Sequence, residues 1–199
     1  MSQLPAPRHS APLPVSQSAA RMGVTVGVLW VLELFDWAAM NYLDGFGIVP
    51  REAAGLPAIF SAPFLHYGWG HLMSNSVPLF LLGTLILVSG LRPFLWVSLI
   101  TIVVSGAVVW LISPPNSVTL GASGVVFGYL TYLLARGFFT RSWAQLAIAV
   151  VVGLVYGSIL WGVLPTSYGV SWQGHLGGAI GGVLAAFWLH GRARARLRG

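Results

Sequence analysis

The chain has no cysteine, and its ten basic residues include no lysine. Without thiols there is no disulfide framework, no thiolate metal site and no cysteine nucleophile. Charge is scarce as well: 7% of the 199 residues are charged and four are acidic, against 56% hydrophobic. A soluble domain is usually about a quarter charged. Mean hydropathy is +0.81, so the solvent this chain is built for is lipid. There is no internal repeat, which argues against a transporter assembled from inverted halves. The length suits one bundle and not two domains.

The net charge of +6 comes entirely from arginine. Those arginines sit singly at the ends of apolar runs or in the C-terminal stretch. That is a topology signal and not a phosphate-binding face, so no nucleic-acid partner is expected. Residues 1–20, with four prolines and four serines, predict a disordered tail without the layout of a cleavable signal. Six apolar runs follow, at about 22–40, 69–90, 93–112, 123–135, 143–164 and 173–190. A helix needs about 20 residues to cross a hydrocarbon core of about 30 Å. Five runs meet this; the fourth is short.

The expected fold is therefore all-α and integral to the membrane. It is a six-transmembrane-helix bundle over residues 21–191, with a basic tail at 192–199. With six spans both termini share one side, and nine arginines fall there while Arg51 stands alone opposite. This places both termini in the cytoplasm of a multi-pass plasma-membrane protein, bacterial in type. The outer loop from Asn41 to Gly68 carries Pro50, Pro57 and Pro63 among apolar residues, and is expected to lie partly in the outer interface.

Depth can be read from the inner arginines at 1.5 Å per helical residue. Ser123 lies about 20 Å above Arg136, His175 about 25 Å above Arg192, Asn75 about 25 Å above Arg92, and His71 about 30 Å above it. Four polar side chains from three helices thus meet at one level in the outer third of the membrane. The short fourth helix would start inside the bilayer, with the loop from Pro114 to Ala122 dipping down to meet it. Non-helical backbone at that depth is tolerated only inside protein or beside a wet cavity. Gly121 and Gly124 on either side of Ser123 allow a tight turn and close helix approach.

Each residue alone has a plain structural role. Ser123 can be a helix cap, His175 an interhelical hydrogen-bonding group, and His71 and Asn75, four apart on one face, the same. Together they form a chemical set. A serine hydroxyl needs a base to accept its proton, and imidazole serves near neutral pH. A tetrahedral oxyanion needs donors, for which His71, Asn75 and the Ser123 backbone N–H are the candidates. Glycine series at Gly124/Gly128, Gly174/Gly178/Gly182 and Gly177/Gly181 let the fourth and sixth helices approach closely. No HExxH pattern or carboxylate cluster accompanies His66 and His71, so no metal is expected. Glu33 and Asp36, three apart on the first helix, face the bundle or a cavity, either paired structurally or as a proton relay.

These residues resemble a known family. Gly121-Ala122-Ser123-Gly124 is similar to the GxSG motif of rhomboid intramembrane serine proteases. His71-Leu72-Met73-Ser74-Asn75 resembles their HxxxN motif on the second helix, and His175 with its following glycines resembles the catalytic histidine on the sixth. The resemblance spans roughly residues 22–191, the minimal six-helix bacterial form. It implies a serine endopeptidase with Ser123 as nucleophile and His175 as base, without an aspartate. His71, Asn75 and the Ser123 amide would bind the oxyanion, and no cofactor is implied. Substrates would be membrane proteins cut near the outer end of a transmembrane segment. His66 matches a further family histidine just before the second helix. Three positions depart from the pattern. Pro57-Ala58 stands where Trp-Arg is frequent, Phe127 replaces a tyrosine that stacks on the histidine, and Ile86 or Leu87 replaces a glutamate. A rhomboid-like protein that binds membrane partners without cleaving them is the alternative. A channel would need a continuous polar path, which the inner halves of the spans lack.

Overall fold

A computed structural model of the chain describes residues 11–165 and 169–191. The basic stretch assigned to 192–199, and residues 1–10, lie outside the described residues. The described residues are helical apart from turns, loops and one isolated bridge. Helix α1 runs Val15–Ala38, so it starts within the stretch predicted as a disordered tail. Two contacts hold this extra length. Leu13 N–H bonds Val88 O at 3.1 Å, and Ser18 and Met22 are buried, Met22 against Gly83. Composition alone hid this because the helix is stabilised by docking and not by its own apolar content.

The outer loop is a string of short turns. It comprises 3₁₀ turns at Tyr42–Phe46, Ala53–Gly55 and Ala62–Phe64, with a single helical turn, α2, at Ala58–Ser61. It is tied down at several points. Ile48 pairs with Thr119 in an antiparallel bridge. Arg51 Nη1 donates to the carbonyls of Leu111 (3.2 Å) and Ser113 (2.8 Å) just ahead of the loop from Pro114. Trp110 Nε1 donates to Glu52 O at 2.8 Å. Several aromatics of the loop, Tyr42, Phe46, Phe60 and Phe64 among them, remain exposed, as an interfacial position requires.

Helices α3 (Gly68–Leu87), α4 (Leu91–Ile112), α5 (Ser123–Thr140), α6 (Trp143–Tyr156) and α7 (Trp172–Ala186) complete the bundle. Among the described residues four helices are long and apolar enough to cross a membrane: α1, α3, α4 and the run Trp143–Val163 that begins with α6. Their outward faces carry large apolar side chains, such as Leu154 at 82% exposure and Trp143 at 86%. A water-soluble protein would bury these; here lipid covers them. The chain is a multi-pass membrane protein.

Helix α5 is the centre, packed on α3, α4, α6 and α7. Its Leu130 and Tyr132 are fully buried. It begins at Ser123 as the sequence indicates, but continues to Thr140, past the predicted end at Ala135. At 18 residues it is about 27 Å long. Arg136 lies within it, its Nη1 donating to Ser89 Oγ at 2.7 Å.

The glycines of α7 divide into two faces. Gly178 and Gly182 lie against the backbone of Gly124 and Gly128 on α5, so near that a methyl on either would strike the opposing carbonyl oxygen. Gly177 and Gly181 lie instead against α4, where added methyls would sit 2.8 Å from Ser105 Cα and 2.9 Å from Thr101 Cα. The sequence indicated close approach to α5; the second face, on α4, is a finding of the structure.

Candidate active site

Helix α5 brings Ser123 to its first position, at the end of the loop from Pro114. Gly121 has φ +121°, and a side chain there would meet the His71 ring at 2.5 Å. Both constraints select glycine. Its N–H bonds Ala62 O at 2.8 Å, so the outer loop fixes the turn ahead of Ser123. Ala122 N–H donates to His66 Nε2 at 3.3 Å. His66 therefore supports the turn through a ring nitrogen that must be unprotonated. Burial pushes the His66 imidazole down to about 4, the neighbouring His71 adding to the effect.

His71 is oriented from behind. Tyr67 N–H donates to His71 Nδ1 at 3.3 Å, so the proton of the neutral ring sits on Nε2, the nitrogen beside Gly121. Asn75 is buried, and its Nδ2 donates to His71 O at 3.0 Å. The His66 and His71 rings pack edge to face, centroids 5.2 Å apart.

His175 lies on the first turn of α7, where Ser171 caps the helix by accepting Gly174 N–H at 3.2 Å. Its ring stacks on Phe127 with centroids 4.0 Å apart and planes 9° from parallel. Phenylalanine at this position thus stacks as a tyrosine would. The edges of Ser123 and His175 are joined by backbone: a methyl on Gly124 would sit 3.2 Å from Gly174 O. Ser105 Oγ of α4 donates to that same carbonyl at 2.8 Å in a buried position. A cleft beside this junction is lined by Gly121, Ser123, Gly124, Ser171 and Gly174. Among the described residues no hydrogen bond joins Ser123 Oγ to His175, and the cleft reaches Ser123 but is not lined by His175.

Two contributors escaped the sequence reading. Ser105 carries no motif, only its place among apolar residues of α4. Gly162, beyond α6, offers its carbonyl to His175 Nδ1 at 2.9 Å, a backbone contact with no side-chain signature. The spacing of Ser171 before Gly174 is a legible helix start.

The carboxylates lie apart. Glu33 and Asp36 are buried near the C-terminal end of α1, and Asp36 Oδ1 accepts Leu43 N–H at 2.6 Å. Asp44, in the outer loop, is pushed above the usual carboxylate range, by burial first and by Asp36 second. The Leu43 N–H bond to Asp36 fastens the loop to α1.

Comparison with known proteins identifies a family. The Rhomboid domain matches residues 54–192. An uncharacterized protein of Mycobacterium tuberculosis is 42% identical over 172 residues, covering 82% of this chain and 72% of that protein. One from Mycobacterium leprae is 40% identical over 179 residues, 84% and 71% of the two chains. Rhomboid-like protein 11, chloroplastic, of Arabidopsis thaliana is 32% identical over 144 residues, 65% of this chain and 50% of that one. The motif-bearing helices fall within the matched region, and the chain belongs to the rhomboid family.

Proposed function

We propose that the protein is an intramembrane serine endopeptidase. Ser123 Oγ attacks the scissile carbonyl carbon while His175 Nε2 takes the hydroxyl proton. The resulting oxyanion is received by the Ser123 backbone N–H, His71 Nε2–H and the free Asn75 amide hydrogen. The α5 helix dipole adds positive potential at the same end. Collapse of the intermediate expels the amine, which takes the proton from His175. Water then attacks the acyl-enzyme through the same base and releases Ser123.

The observation that carries this reading is the His175 ring. It is stacked on Phe127, with Nδ1 turned to a carbonyl acceptor, so that Nε2 remains the basic nitrogen. In this reading α5 and α7 are the fourth and sixth spans, α5 begins below the outer surface, and both termini are cytoplasmic. The substrates are membrane proteins whose transmembrane segments weaken as helices near their outer ends, where Ser123 would reach them. No cofactor takes part.

A fluorophosphonate probe tests it. The purified protein should label, and Ser123→Ala and His175→Ala should not. Absence of labelling in the native chain, with folding verified, would instead favour a rhomboid-like binder without catalysis.

A further inference from the structure

We infer that Gly162 is a positioning residue: its backbone carbonyl holds His175 in the tautomer that the Ser123 chemistry needs. This rests on the protease reading above. Neutral imidazole has one N–H, on either nitrogen, and only the form protonated at Nδ1 leaves Nε2 free to receive the serine proton. A carbonyl oxygen can only accept. The 2.9 Å contact between His175 Nδ1 and Gly162 O therefore fixes the proton on Nδ1 and the lone pair on Nε2. When Nε2 takes the Ser123 proton the ring becomes cationic, its Nδ1–H still bonded to Gly162 O. When Nε2 passes that proton to the departing amine, the ring returns to the starting form. An aspartate does this work in a serine triad; here a neutral main-chain oxygen occupies that place, and among the described residues no carboxylate bonds the ring.

The position demands glycine. A Cβ at residue 162 would lie 2.9 Å from Phe127 Cζ and 3.1 Å from His175 Nδ1. The carbonyl reaches the ring only because nothing projects from the same backbone into the Phe127–His175 stack. The chain gets there through a change of helix type. After Tyr156 the helix tightens into a 3₁₀ segment, Gly157–Val163, which packs on α7 and turns its Gly162 carbonyl inward. The remaining wall of the ring is Phe127, so one face and one edge of the imidazole are held by different elements. The segment's other early glycine is a built-in comparison, since a Cβ at Gly157 would meet nothing within 4 Å.

The test combines ¹⁵N-histidine NMR of the full chain in micelles with turnover of a fluorogenic membrane-anchored peptide. His175→Ala assigns the His175 signals. The wild-type ring should be protonated at Nδ1 near neutral pH. Gly162→Ala should mix the tautomers and lower kcat roughly tenfold or more, with KM little changed. Gly157→Ala should leave both unaltered. A wild-type His175 without a proton on Nδ1 overturns the inference, whether or not any variant folds. So does a Gly162→Ala enzyme with wild-type turnover, or a loss of equal size in Gly157→Ala. If the wild type neither turns over peptide nor labels at Ser123, the protease reading falls and takes this role with it. That result differs plainly from an active wild type with an indifferent Gly162.

Discussion

Gly178→Ala isolates the contact that holds α5 and α7 together. The new methyl would meet the Gly124 carbonyl oxygen, and would lie 2.8 Å from its carbon and 3.1 Å from its Cα. Carbon atoms pack at about 3.5–4.0 Å, so the helices must part by about 1 Å. Nothing near the methyl is a flexible side chain; the obstacle is backbone. Overpacking of this kind costs about 1–3 kcal/mol, which for a chain of this size lowers Tm by about 2–12 °C. Separation moves His175 relative to Ser123, and a misplacement of about 1 Å can cost about 10²-fold in rate. Gly153→Ala on α6 is the comparison, because its methyl would find only Leu134 Cδ2, at 3.5 Å, an ordinary contact. Thermal unfolding in detergent and the rate of fluorophosphonate labelling should both fall for Gly178→Ala and change little for Gly153→Ala. Equal behaviour of the two variants would refute the close-packing argument.

Three further perturbations separate other parts of the structure. Asn75→Ala removes one oxyanion donor and should lower turnover by up to about 10²–10³-fold; an unaltered rate would remove Asn75 from that role. His66 must stay neutral to accept the Ala122 N–H, and its folded value of about 4 lies below the ordinary 6.5. Between those values the unfolded chain binds more protons, so stability is full above about pH 6.5 and falls as pH drops toward 4, by up to about 3 kcal/mol. His66→Gln keeps an acceptor without the titration and should flatten the Tm-versus-pH curve; an unchanged slope would contradict this. Tyr132→Phe removes the 3.0 Å hydrogen bond to His190 Nε2 at the inner end of the bundle. It should cost about 0.5–1.5 kcal/mol without slowing Ser123 labelling, because it lies far along α5 from the site.

The long helices were legible because their apolar runs have the right length and end in arginine. The site motifs were legible because few polar residues interrupt those runs, so His71, Asn75, Ser123 and His175 stand out by contrast. What escaped has physical causes. The start of α1 at Val15 depends on docking of Leu13 and Ser18 against the bundle, which no local composition reports. The outer loop has no period to read: its prolines break it into single turns, and its order comes from distant partners such as Thr119 and Leu111. Gly162 acts through a main-chain atom, and any residue has a carbonyl. Its identity mattered only because of what a Cβ would strike. The glycines of α7 announced close packing but not which helix each face would meet.

The nucleophile–base pair itself can be tested by covalent capture. A chloro-substituted isocoumarin acylates a serine and then alkylates a histidine within reach of the opened ring. With the purified protein, peptide mass spectrometry should find one reagent joining Ser123 to His175. The Ser123→Ala protein should carry no adduct, and His175→Ala no bridge. An adduct on another residue, or a serine adduct on Ser123 that never reaches His175 in the folded protein, would contradict the dyad.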